Sequence, residues 1–271
     1  MKKIIKVLAV LMAVVLIGAI LFIANAFVGN PISKMIVSAN SKKYIEEQYP
    51  NMDYYITRVS YSFKTGGYYA YVKSKSSEDT NFSVSYSSLG KVGYDNYESR
   101  VADGFNTWDR INHQYGVETS VILDELPYES DICYARIESG DKGEGLINFG
   151  LDMASLELDK NYDLRDMGAK YGKVTIYVCD KEVSEEKAAE ILMYIKKAFE
   201  KEDESFYAID LALREPRDAD TGKFDGEEIR VECFLWESIA EDSIAGELQK
   251  AIEATKKYYK EMDEEKSVGK G

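Results

Sequence analysis

Val7-Leu8-Ala9-Val10-Leu11-Met12-Ala13-Val14-Val15-Leu16-Ile17-Gly18-Ala19-Ile20-Leu21-Phe22-Ile23-Ala24 is an unbroken apolar run, with Lys2, Lys3 and Lys6 before it and Asn25 as the first polar side chain after it. Coiled as a helix, the run is about 27 Å long, enough to cross most of a bilayer core. A buried core helix normally shows a polar face, and this segment has none. It therefore reads as a membrane-spanning helix, and it sets the solvent of everything downstream. Two fates compete: retention as a signal anchor, or cleavage after the A-x-A-like Ala24-Asn25-Ala26. Cleavable apolar cores are about 7–15 residues long, and this one is longer, so retention is expected. Nothing basic follows the run until Lys34. The positive-inside rule then places the N-terminus in the cytoplasm and the chain from about Phe27 onward outside. No cysteine ends the run, which excludes a lipoprotein.

The chain has 271 residues, 45% of them hydrophobic, which supports a folded core rather than disorder. Without the anchor it is long enough for one large or two small domains. The net charge of −14 argues against nucleic-acid binding, which wants a basic face. It also disfavours docking of the soluble part on an anionic membrane. An acidic surface mainly confers solubility; a sharper reading is attraction for basic peptides or divalent cations. Cys133, Cys179 and Cys233 are too widely spaced for a zinc site, and each lies in a strand-like run. They read as buried thiols, with no disulfide expected.

Outward from the anchor, Asn30-Pro31 suits the start of a second helix. Ile32, Met35, Ile36, Ala39, Lys43 and Tyr44 fall at helical spacing, and Tyr49-Pro50 ends the element. Tyr55, Thr57, Val59 and Tyr61 then alternate with Ile56, Arg58 and Ser60, and Gly66-Gly67 marks a hairpin. Tyr68–Lys73 returns as a second strand, and Phe82, Val84 and Tyr86 mark a third. A long helix is expected from Val101 through Phe105, Trp108, Ile111 and Tyr115, ending before Pro127 and covering the meander.

The second half restarts with a strand at Ile132–Ile137, and Val174–Cys179 is another. Ser184 caps a helix with the stripe Ala188, Ile191, Leu192, Ile195 and Phe199, and acids occupy its first turn. Phe206–Leu213 and Glu228–Trp236 read as strands, and Ala240–Met262 as a final amphipathic helix. The fold class expected is α+β: one N-terminal transmembrane helix, then two small two-layer domains with antiparallel sheets covered by helices. The segments are an anchor at 1–29, domains at 30–128 and 129–264, and a flexible tail at 265–271.

Asn30-Pro31-Ile32-Ser33-Lys34, Lys43-Tyr44-Ile45-Glu46-Glu47-Gln48-Tyr49-Pro50, Val59-Ser60-Tyr61-Ser62-Phe63-Lys64 and Tyr68-Tyr69-Ala70-Tyr71-Val72 resemble the YfjL-like proteins of Gram-positive bacteria. Tyr171-Gly172-Lys173-Val174-Thr175-Ile176-Tyr177-Val178 is similar to that family's second domain. The resemblance implies a membrane-tethered, two-domain protein and carries no activity and no functional residues. The first domain also loosely resembles cystatin-like or PepSY-like modules in shape, which transfers no function.

Few residues offer chemistry. His113 is the only histidine, so two-histidine metal sites are excluded, and its place on a helix suggests a surface role. Asp218-Ala219-Asp220-Thr221-Gly222 opens like a calcium loop. Lys223 then occupies the glycine position, and Ile229 stands where the bidentate Glu belongs. A solvated hairpin loop is the plain reading; a weak calcium site on Asp218, Asp220 and Asp225 is the functional one. The tyrosines of the first meander read mainly as sheet formers. The functional alternative is an aromatic face on Tyr61, Tyr69 and Tyr71 that docks a peptide or glycan. No catalytic residue and no cofactor is expected.

The expected function is therefore a non-enzymatic binding or accessory protein of the cell membrane, its bulk extracytoplasmic. It would be held in the lipid bilayer by residues 7–24 and would serve a protein, peptide or envelope ligand, with no nucleic-acid partner. The alternatives are a carboxylate-dependent envelope hydrolase and a regulator or inhibitor of an exported peptidase.

Overall fold

Helix α1 (Lys2–Val28) and helix α2 (Pro31–Gln48) open the chain in the computed structural model, which describes residues 2–140, 146, 149–217, 222, 224 and 226–268. Among the described residues, one helical stretch, Lys3–Gln48, is long and apolar enough to cross a membrane, and it takes in α1 from Lys3 onward. Asn30 separates the two helices. Its side-chain oxygen accepts from the Ile32 amide at 2.8 Å, with Pro31 in the first turn of α2. Strands β1 (Tyr55–Ser62), β2 (Gly67–Lys73), β3 (Asn81–Tyr86) and β4 (Val92–Asp95) follow as an antiparallel meander in chain order. The chain divides into two units, Met1–Thr107 with Glu157–Asp159, and Trp108–Leu156 with Lys160–Gly271.

The first sheet has four strands where three were expected. The fourth, β4, has no buried position and hence no alternating apolar signal. It is reached through Gly90, where φ is +77° and an added Cβ would lie 2.5 Å from the Asn40 side-chain nitrogen, so a side chain is disfavoured. The buried stripe of α2 is Ser33, Val37, Ser41 and Ile45, one position on from the stripe read in the sequence. Ile32 and Met35 are exposed. Two small serines let the helix lie close to a sheet that supplies the bulk through Tyr68, Phe82 and Tyr86. A bulge between Ile56 and Arg58 also breaks the alternation of β1.

The expected long helix is interrupted. Glu98–Ala102 is a π-helical turn, and Gly104 at φ +74° separates it from helix α3 (Phe105–Asp124). Helix α3 does not give its apolar face to the meander. Ile111, Tyr115, Ile122 and Leu123 are buried in the core of the second unit.

That unit continues with β5 (Ser130–Ile137), helix α4 (Leu164–Tyr171), β6 (Gly172–Cys179) and helix α5 (Glu185–Lys201). Strands β7 (Ala208–Arg214) and β8 (Glu228–Leu235) and helix α6 (Ile244–Val268) complete it. The sheet order is β5-β6-β7-β8. It is mixed rather than antiparallel, because β6 and β7 run parallel from Lys173↔Ala208 to Cys179↔Arg214. A helix between two strands is the connection that a parallel pair requires, and α5 is that crossover. Ser184 caps it by accepting from the Lys187 amide at 3.1 Å. Its buried residues are the expected Ala188, Ile191, Leu192, Ile195 and Phe199. Strand β7, one of the two strands flanked on both edges, is buried at every position.

Candidate functional site

Tyr61, Tyr69 and Tyr71 do not share a face. Tyr61 lies opposite Tyr68 in the β1–β2 register and packs on the helix-covered side, ring centroids 5.1 Å apart. Tyr69 and Tyr71 lie on the other side, where the Tyr69 hydroxyl donates to Thr65 and the Arg58 guanidinium stacks on the Tyr71 ring at 4.4 Å. Much of the tyrosine is structural. Asp95 accepts from the hydroxyls of Tyr44 at 2.9 Å and Tyr49 at 2.8 Å. Burial, reinforced by that carboxylate, pushes the Tyr44 hydroxyl up to about 12.

Asp218, Asp220 and Asp225, the calcium-loop residues, lie outside the described residues. Among those described, no group of three His, Cys, Asp or Glu side chains is placed to hold a metal ion. His113 is exposed on α3. None of the three cysteines is in a disulfide. Burial pushes the Cys133 thiol up to about 11, the opposite of an activated nucleophile.

The second unit contains a cavity of about 680 Å³ that sequence reasoning missed. Its floor is Ser205-Phe206-Tyr207, leading into β7, and one wall is Trp236-Glu237, just after β8. Glu200 comes from the last turn of α5, Glu204 from the following turn, and Arg165 from α4. The backbone of this site is held from several directions. The Tyr115 hydroxyl donates to the Ser205 carbonyl at 2.9 Å. The Tyr207 amide donates to Gly172 O at 2.8 Å, and the Trp236 amide to Tyr207 O at 3.0 Å. The Lys196 ammonium donates to the carbonyls of Trp236 and Ile239 and sits 5.0 Å from the indole centroid. Phe206 meets Phe199 and Trp236 edge to face, at 5.0 and 4.7 Å.

Three glutamates against one arginine make the cavity electronegative, and Arg165 is engaged by Asp203. Burial, and then the nearby Glu118, raise the pKa of Glu204 above the ordinary carboxylate value, with Arg165 opposing. Its Oε2 is buried without a hydrogen-bond partner. An aromatic-walled, carboxylate-rimmed cavity suits a cationic group with an apolar stem. A signal was present in Glu200-Lys201-Glu202-Asp203-Glu204-Ser205-Phe206-Tyr207, an acidic turn that runs straight into aromatics. Its partner Trp236-Glu237 is distant in sequence, and only the β7–β8 pairing brings the two segments together.

Two family models match the chain: YfjL-like, N-terminal domain, over residues 2–96, and YfjL-like C-terminal domain, over residues 114–253. No curated protein and no solved structure matches it.

Proposed function

The chain belongs to the YfjL-like family, and on that premise we propose that it is a membrane-tethered, extracytoplasmic binding module for a basic peptide or protein segment. Helix α1 spans the bilayer, Lys2, Lys3 and Lys6 stay on the cytoplasmic side, and both units face outward. The observation that carries the binding reading is the second unit's cavity, where Tyr207 and Trp236 stand beside Glu200, Glu204 and Glu237. A lysine or arginine side chain would lay its stem on the rings and its charge among the carboxylates.

The test is calorimetric titration of the full chain in detergent with a trilysine peptide. Saturable binding that weakens at least fivefold in the Glu204→Gln, Glu237→Gln double variant supports the reading. Equal affinity for both proteins, or no binding, counts against it. The hydrolase alternative has one observation in its favour, the raised pKa of Glu204. Glycan cleavage that vanishes in Glu204→Gln would put that alternative in first place.

A further inference from the structure

The acidity of this protein is unevenly spread. The chain carries 34 lysines and arginines against 48 acids, yet residues 1–107 carry 12 against 8. Part of that basic excess gathers on the outer face of the first sheet, around a concavity of about 420 Å³. Arg58 reaches it from β1, Lys73 from the end of β2, and Arg100 from the π-helical turn. The remaining lining is neutral and includes no carboxylate.

We propose that this concavity is a binding site for a phosphate group, held by Arg58, Lys73 and Arg100. Both guanidinium groups are already oriented by aromatic rings, Arg58 at 4.4 Å from the Tyr71 centroid and Arg100 at 4.5 Å from that of Phe105. Stacking fixes the plane of an arginine fork while leaving its edge free to bond two oxygens of one anion. None of the three cations has a carboxylate within ion-pair distance among the described residues. Like charges held together without a counterion repel one another, and a bound anion removes that repulsion. The Ser83 amide donates to Asn96 Oδ1 at 2.6 Å, which turns the Asn96 NH₂ group, a further donor, away from that bond. A tetrahedral anion with three or more oxygens matches this set of donors better than a single carboxylate.

The site stands on the first unit's own geometry and is independent of the cavity in the second. Phosphate of this kind comes either free in solution or on a lipid headgroup, and the experiment separates the two. The full chain, placed in phosphatidylcholine nanodiscs, is titrated with inorganic phosphate while the arginine Nε–Hε resonances are followed by NMR. A second sample is prepared in phosphatidylglycerol nanodiscs without added phosphate. The expected result is a saturable shift of the Arg58 and Arg100 resonances in at least one sample. A shift with inorganic phosphate identifies a soluble source, and a shift only with phosphatidylglycerol identifies the headgroup. The Arg58→Gln, Lys73→Gln, Arg100→Gln variant should lose at least tenfold in affinity while its circular dichroism spectrum shows that it remains folded. Resonances that move in neither sample, or an affinity unchanged in the triple variant, overturn the proposal.

Discussion

Gly168→Ala adds one methyl group inside α4, where two effects oppose each other. Alanine is the better helix former by about 1 kcal/mol, which favours the variant. The new Cβ, however, would lie 2.5 Å from the Ser205 carbonyl oxygen and 2.6 Å from Cε2 of Tyr115. Both are well inside the roughly 3.5 Å of ordinary carbon contact. Neither neighbour yields easily, because the Tyr115 hydroxyl donates to that same carbonyl at 2.9 Å and Tyr115 is fully buried. Overpacking of this kind costs about 1–3 kcal/mol, and a clash with backbone belongs in the upper part of that range. Overpacking therefore wins by about 1–2 kcal/mol, which lowers the melting temperature by roughly 3–6 °C for a unit of this size. Gly246→Ala is the matched control, because that glycine lies in α6 with nothing within 4 Å. It should raise the melting temperature by about 2 °C or more. The assay is thermal unfolding of both variants in detergent, followed by circular dichroism. If Gly168→Ala melts at or above the wild-type temperature, the close packing of α4 on the cavity floor is refuted.

Three further outcomes are expected. Lys173→Met removes the ammonium that stands 3.0 Å from Asp210 and 3.2 Å from Glu138; Glu138 keeps Arg136, but Asp210 loses its ion-pair partner; urea unfolding should show a loss of about 3 kcal/mol. The raised pKa of Glu204 means that the folded state keeps this proton to higher pH than the unfolded chain does, so the group's contribution falls as pH rises through the folded value. Glu204→Gln should then melt higher than wild type at neutral pH, with the difference fading below about pH 4, where both states are protonated; an advantage that is constant across pH would exclude titration as its origin. Tyr68→Phe removes the acceptor of the Asn30 amide, 2.7 Å away, at the junction of α1 and α2; a loss of about 1 kcal/mol in thermal unfolding is expected, and no loss would mean that water replaces the hydroxyl.

Local signals were legible in the sequence wherever one residue type had one job. Ser184 capped α5, the stripe from Ala188 to Phe199 was its buried face, and Gly66 at φ +66° turned the first hairpin. Signals failed where the outcome depended on a distant partner. The sequence of α2 offers two apolar stripes of similar strength, and only the bulk of the sheet decides that the serine-bearing one turns inward. The strand–helix–strand order at β6-α5-β7 implied a parallel pair, but strong apolar runs on both sides concealed which neighbours β7 would take. Helix α4 has only eight residues, with Met167 and Gly168 buried, too little for a periodic signal. The cavity was illegible for the same reason, since its two aromatic segments meet only through the sheet.

The most direct test of the account is protease accessibility of the full chain, carrying a C-terminal tag, in wall-stripped cells, combined with membrane fractionation. The account predicts a tag that sediments with membranes and is removed by external protease while the membrane is intact. A tag that sediments with membranes yet survives protease until detergent is added would invert the topology, and a tag free in the medium would show that α1 is cleaved; either result contradicts an outward-facing, tethered binding module.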